Sequence, residues 1–233
     1  MSKKEKIEIL YEDNHLIAVN KRSGDIVQGD KTGDKPLSDF VKNYIKNKYN
    51  KPGEVFLGTP HRIDRPTSGI VVFAKTSKAL SRLNKMFHDK EIKKTYWAIV
   101  KNKPEKQSDH IIHYLKKNTE KNKSIAYSHE TASAKKAELI YKIIHEFNNY
   151  YLLEINPLTG RHHQIRVQLA TINCPIKGDL KYGFGRSNSD ASISLHARKI
   201  EFIHPVSKEK ISIIASPDSS DILWKEVDDL FKN

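Results

Sequence analysis

Short apolar runs separated by turn residues open the chain. Ile7 to Leu10 and Leu16 to Val19 are two such runs with Asp13-Asn14 between them, which predicts a pair of strands. Gly24, Gly29 and Gly33 then mark a loop. From Pro36, residues Leu37, Phe40, Val41, Tyr44 and Ile45 recur at three- and four-residue intervals, the stripe of an amphipathic helix that ends near Tyr49 and is closed by Pro52-Gly53. The run Ile70 to Ala74 is β-branched and too short for a helix, so it reads as a buried strand. Thr76 or Ser77 can cap a following helix whose face carries Leu80, Leu83, Met86 and Phe87, and Lys94 to Val100 returns as a strand.

Residues from about 101 to 136 are the most polar part of the chain, with lysines around short apolar patches such as Ile111-Ile112. This segment reads as a hairpin or arm. Two strands follow, Ala137 to His145 and Tyr150 to Asn156, joined by Phe147-Asn148-Asn149. Ile165, Leu169 and Ile172 keep helical spacing, which predicts a helix with Arg161 and His162 in its first turn and His162 and Arg166 on one face. Its free N-terminal amides would favour an anion. A strand pair, Ile200 to Ile203 and Lys210 to Ile214, and a last helix with Ile222, Leu223, Val227, Leu230 and Phe231 complete the pattern. The expected fold class is α+β, a mixed and largely antiparallel central sheet with flanking helices. No boundary interrupts the pattern, so a single domain over residues 1–233 is expected.

Composition narrows the function. The longest apolar stretch, Ile70 to Ala74, is far short of the roughly 20 residues of a membrane-spanning helix. The basic start Met1 to Lys6 is followed by apolar residues broken at Glu8, Glu12 and Asp13, so no secretory signal forms and a cytoplasmic protein is expected. The single cysteine, Cys174, allows neither an intrachain disulfide nor a thiolate zinc site, and the 11 histidines include no His-Glu-x-x-His pair. No metal is expected. Net charge is +13, which favours polyanionic partners, nucleic acid first among them, although solubility alone also accounts for such a surface. No phosphate loop or dinucleotide fingerprint occurs, which disfavours NTP- and NAD-dependent chemistry.

Three clusters carry candidate chemistry. In His61-Arg62-Ile63-Asp64-Arg65-Pro66-Thr67-Ser68-Gly69 an aspartate lies between two arginines, where it can act as nucleophile or base; an Asx-turn or a loop salt bridge fits the same residues. Thr159 to Arg166 is a basic segment suited to phosphate or to plain solvation. In Lys93-Lys94-Thr95-Tyr96-Trp97 the two aromatics point to opposite sides of a strand, one available to stack a base and the other to enter the core.

In order and spacing, HRIDRPTSG with IVVFAKT, KKTYWAIV, NPLTGRHHQIRVQLA, PIKGDLKYG and LHARKIEFIHP resemble the pseudouridine synthases of the RluA type, and ILYEDNHLIAVNKRSG resembles that family's first strands. The resemblance covers nearly the whole chain. It implies the pseudouridine synthase catalytic fold and an RNA isomerase that breaks the C1′–N1 bond of a uridine, turns the base and rejoins it through C5, without cofactor, metal or energy source. It implies that Asp64 is the essential aspartate, as nucleophile or proton-abstracting base, that Tyr96 packs against the flipped base, and that Arg166 pairs with the aspartate. Arg62 matches the arginine that fills the space left by the flipped nucleotide, at an unstacking cost of a few kcal/mol. Arg65 and His61 of the same loop, with Arg161, complete the RNA-binding candidates. The chain departs from the family pattern at Asn20-Lys21-Arg22-Ser23-Gly24, where Asn-Lys-Pro-Ala-Gly is usual, at the doubled His162-His163, and at Gln168 in place of a histidine. Many members begin with an S4-type RNA-binding domain, for which no residues are present here, so the Lys-rich arm is the expected RNA grip. The expected partner is ribosomal or transfer RNA, and the expected state a monomer. A catalytically silent RNA-binding or ribosome-associated protein is the rival; it needs no conjunction of Asp64, Tyr96 and Arg166.

Overall fold

The computed structural model describes residues 7–29 and 33–231; the basic stretch Met1 to Lys6 lies outside them. The chain divides into two compact units, residues 1–93 with 197–233, and residues 94–196.

The first unit begins with the expected hairpin, β1 (Glu8–Glu12) antiparallel to β2 (Leu16–Lys21). Asp13 makes the turn: its Oδ1 accepts the amides of His15 and Leu16 at 2.7 and 2.6 Å. Helix α1 (Leu37–Lys48) follows and buries Leu37, Val41 and Ile45, the stripe read from the sequence. Strand β3 (Ser68–Ala74) pairs antiparallel with β2, and its run from Gly69 is buried. Helix α2 (Ser77–His88) is capped by Thr76, whose Oγ1 accepts the Ala79 amide. Strand β4 (Lys93–Val100) leads into the second unit, after which the chain returns to the first as the strands of residues 195–203 and Lys210–Ile214, antiparallel to each other. Leu16, Ala18, Ile70, Val72, Leu83, Ile200 and Phe202 form this unit's core. Gly69 has φ +112°, and a Cβ there would lie 2.4 Å from the Ala197 carbonyl oxygen, so only glycine permits this approach. At the rim, Glu12 accepts from Tyr44, Tyr49, Lys48 and Lys75, tying β1 to α1 and to the end of β3. Those donors hold its carboxyl at about 2 against the opposing effect of burial.

The second unit is a sheet in the order β4, β8 (Tyr151–Pro157), β7 (Lys135–Glu146), β5 (Ser108–Asn118), β6 (Lys123–Tyr127), its pairings all antiparallel. The polar segment is thus a hairpin, β5 and β6, hydrogen-bonded to β7. Helix α3 (Gln164–Thr171) covers one side, packing Ile165 and Leu169 on Ile111, Leu139, Leu153 and Ile155, and Val167 on Leu115 and Ala137. Residues Leu195–Ile203 form β9, Lys210–Ile214 form β10, and Ile222–Leu230 form the last helix, α4, capped by Asp221. The fold is α+β with antiparallel pairing, as the pattern predicts. Among the described residues no helix is long and apolar enough to cross a membrane.

The strand expected over Ile200 to Ile203 begins earlier, at Leu195, a short 3-10 helix forms over Leu180–Tyr182, and the helix after Thr159 starts later than its spacing suggests. It begins at Gln164, and Arg161 and His162 precede it. Gln164 explains the delay, since its Oε1 accepts from Thr159 Oγ1 at 2.7 Å and from the Arg161 amide at 3.0 Å while its Nε2 donates to the Glu138 carbonyl. These bonds fold residues 159–163 into a turn, and His163 takes a left-handed conformation with φ +54°. Arg161 is therefore not at a helix mouth, and His162 does not share a helical face with Arg166.

Candidate active site

The candidate residues fall into two sets, His61, Arg62, Asp64 and Arg65 on the first unit, and Tyr96, Arg161 and Arg166 on the second.

Asp64 lies half-buried in a turn closed by the Thr67 amide, which donates to the Asp64 carbonyl at 3.0 Å. That turn is clasped from the end of β2. Lys21 is 1% exposed, and its Nζ donates to the carbonyls of Arg22, Asp25 and Arg65 at 2.8, 2.8 and 3.1 Å. Three acceptors match the three N–H bonds of an ammonium. Burial pulls the Lys21 amine down to about 7, against the upward pull of Asp25 and Asp64. The Gly24 amide donates to the Arg65 carbonyl at 2.9 Å and Ser23 Oγ to that of Pro66 at 3.0 Å. Ser23, in the segment that departs from the usual family pattern, thus supplies a bond to the aspartate's own turn.

The neighbours of Asp64 point in different directions. Arg62 is exposed. Arg65 is exposed and pairs with Asp34 at 2.8 Å. His61 is half-buried, its Nε2 accepting the Val72 amide at 2.9 Å and its ring stacked 4.7 Å from Phe87. Those contacts anchor the loop to β3 and α2.

On the second unit Tyr96 is half-buried on β4 and packs against the cluster that includes Ile165 and Leu169 of α3. Trp97, pointing the other way, is 4% exposed, so one aromatic of the pair entered the core. Arg166 is buried. Its Nε and Nη2 donate to the two carboxylate oxygens of Asp179 at 2.7 and 2.8 Å, a fork that fixes the guanidinium plane, and Tyr182 lies 5.1 Å from it. Arg161 is exposed and donates from Nε to the Lys136 carbonyl.

Asp179 and Tyr182 belong to GDLKYG, part of a segment that carries the family resemblance, and neither residue is among the site candidates read from the sequence. The Tyr182 hydroxyl accepts the Ser124 amide at 2.8 Å and lies 2.9 Å from His163 Nδ1. Either direction of this bond is open to a neutral His163: the hydroxyl gives its proton to Nδ1, or takes one from Nδ1–H on its second lone pair. Burial and then the charge of Arg166 pull that imidazole down to about 2, in agreement. The His162 ring stacks 3.8 Å from His163 and joins Ser124 and Asn122, so the doubled histidines fasten the β5–β6 hairpin to the start of α3.

Residues 15–171 match the family model described as RNA pseudouridylate synthase. The chain is 32% identical to tRNA pseudouridine synthase C of Vibrio vulnificus over 97% of its own length and 96% of that protein. The chain belongs to the RNA pseudouridylate synthase family. It is an isomerase acting on RNA. It is also 35% identical to ribosomal large subunit pseudouridine synthase C of Buchnera aphidicola from Acyrthosiphon pisum, over 90% of this chain and 67% of that one. Human RNA Pseudouridylate Synthase Domain Containing 4 has the same fold, with a TM-score of 0.77 and 22% identity over 94% of this chain and 92% of that one. The match to the family model runs through both units, from β2 to the last residue of α3.

Proposed function

We propose that this synthase converts one uridine of a structured RNA, of the transfer or ribosomal class named for its relatives, into pseudouridine, with Asp64 as the reacting carboxylate. The observation that carries this reading is the turn around Asp64. Its carboxylate is half-buried in a backbone clasped by Lys21, Gly24 and Ser23, the pre-organisation a nucleophile or base requires. The reaction balances without a redox partner: C1′–N1 breaks, C1′–C5 forms, the C5 proton goes to solvent and N1 takes one up. Tyr96 packs against the extruded base and assists removal of the C5 proton. Arg166, oriented by Asp179, is the cationic counterpart of the reacting carboxylate.

Arg62, exposed beside the reacting group, takes the place of the flipped nucleotide, since a planar cation both stacks and pairs with phosphate. Arg65 and Arg161 contribute charge to RNA binding, and His61 supports the loop that carries Arg62. We read the whole chain as one catalytic module, a cytoplasmic monomer that needs no cofactor.

The test is tritium release from bulk RNA carrying 5-tritiated uridine, taken from cells lacking this protein. Wild type should release tritium, and Asp64→Asn should release none while keeping RNA affinity within a few-fold. RNA binding without release by wild type would favour the silent RNA binder.

A further inference from the structure

The β5–β6–β7 part of the second unit has two unlike sides. Ile111, Leu115, Ala137 and Leu139 face the core under α3. On the other side, Ile112, Ile125 and Ile140 remain 42, 44 and 40% exposed. Residues directly opposite in an antiparallel pair share a face. Tyr114 is opposite both Tyr127 and Lys136, and Lys116 is opposite Ile125, so two tyrosines and two lysines stand on this open side among the isoleucines. Both tyrosines are half-buried, yet neither hydroxyl has a hydrogen-bond partner among the described residues, and Lys116 has no acidic partner among them, whereas Lys136 is paired at 2.9 Å with Glu138, which stands on the same side opposite Ile112, so that a phosphate at Lys136 exchanges with this pair. Tyr96 points to the opposite side of the sheet, toward the core under α3.

We propose that this open sheet face is an accessory surface for single-stranded RNA, stacking bases on Tyr114 and Tyr127 and holding phosphates with Lys116 and Lys136, apart from the reacting uridine. The inference rests on RNA being the substrate and extends beyond the catalytic groups. An aromatic platform rimmed by lysines is the arrangement that binds single strands without sequence preference. The unit's charge agrees, with 16 Lys and Arg against nine Asp and Glu in residues 94–196. Protein interfaces are depleted of lysine, and a two-fold contact between copies would set like-charged lysine rims against each other.

The measurement is fluorescence anisotropy with a labelled 20-nucleotide oligoadenylate. It contains no uridine, so its binding is independent of the isomerisation, and tritium release remains the separate test of that reading. Wild type should bind it with salt-dependent affinity. Tyr114→Ala with Tyr127→Ala should weaken binding at least tenfold, and the matching double Phe variant should stay within about twofold, because the rings remain to stack. Lys116→Glu, a change at an exposed position, should weaken binding and reduce the log-log salt slope by about 0.7. Unchanged affinity in the folded Ala variant would overturn the proposal. So would a wild-type dimer in sedimentation that the Ala variant dissolves while oligoadenylate affinity is kept, since the face would then belong to a second copy.

Discussion

Asp64 and Arg166 are the two charged groups to which we assign the proposed chemistry, and they are held in opposite ways. Asp64 stands in a turn whose backbone is gripped, by Lys21 through the Arg65 carbonyl and by Ser23 through that of Pro66, while its side chain stays half-buried. Arg166 is gripped by its own side chain, forked onto a carboxylate that is itself 1% exposed. Holding the backbone leaves a carboxylate able to react. Holding the guanidinium spends two of its nitrogens on Asp179 and fixes the direction of its charge. The difference teaches that mutation at the first position should separate activity from stability, and mutation at the second should not.

The strongest test of that contrast is Asp64→Asn, expected to remove isomerisation while the melting temperature barely changes; parallel loss of both would make Asp64 structural. Next is Asp179→Ala. It leaves a buried guanidinium without its carboxylate, which costs about 3–5 kcal/mol, read from urea midpoints at constant m, and turnover should fall with it. Retained stability would mean that Arg166 does not depend on the pair. Lys21→Met should cost about 1–3 kcal/mol by removing the Lys21 donor from the carbonyls of Arg22 and Asp25 and leaving that of Arg65 with the Gly24 amide alone. Its signature is local: exchange of the Thr67 amide should quicken more than that of the β2–β3 ladder.

Acid sharpens the comparison last. His163 is held neutral to about 2, whereas an unfolded chain protonates it near 6.5, so the unfolded state binds the extra proton and stability falls as pH drops below 6.5. The linkage allows at most about 2 kcal/mol of loss by pH 5. In the first unit Glu12 has a lowered pKa, about 2 against 4.5, so its contribution is full above 4.5 and is lost only as pH falls below that. Between pH 6.5 and 4.5, therefore, denaturant midpoints should fall in wild type and stay flatter in His163→Gln.

Much of this was legible in the chain. The helices of Val41 and Leu83 and the Thr76 cap are local patterns, and local patterns are written in spacing. The polar segment was legible as a hairpin or arm from its lysines around short apolar patches, and the structure makes it the hairpin of β5 and β6. Asp64 and Tyr96 became prominent through the family resemblance, since an aspartate beside proline and glycine reads equally well as a turn. What stayed hidden depends on tertiary bonds. The late start of α3 is set by Gln164 reaching the Glu138 carbonyl on β7, which no helical periodicity encodes. Asp179 finds Arg166 thirteen residues away. Nothing in the local pattern around Lys21 encodes the three carbonyls that its ammonium meets.

The Tyr182 hydroxyl links three segments at once, the hairpin strand through the Ser124 amide, the start of α3 through His163, and the guanidinium across its ring. In the time domain this makes the polar arm a slow element. The root of β6 cannot swing open on the nanosecond scale of a free loop without breaking a bond inside the packed core. Separation of the hairpin root from α3 then proceeds no faster than the bonds at this one phenol break.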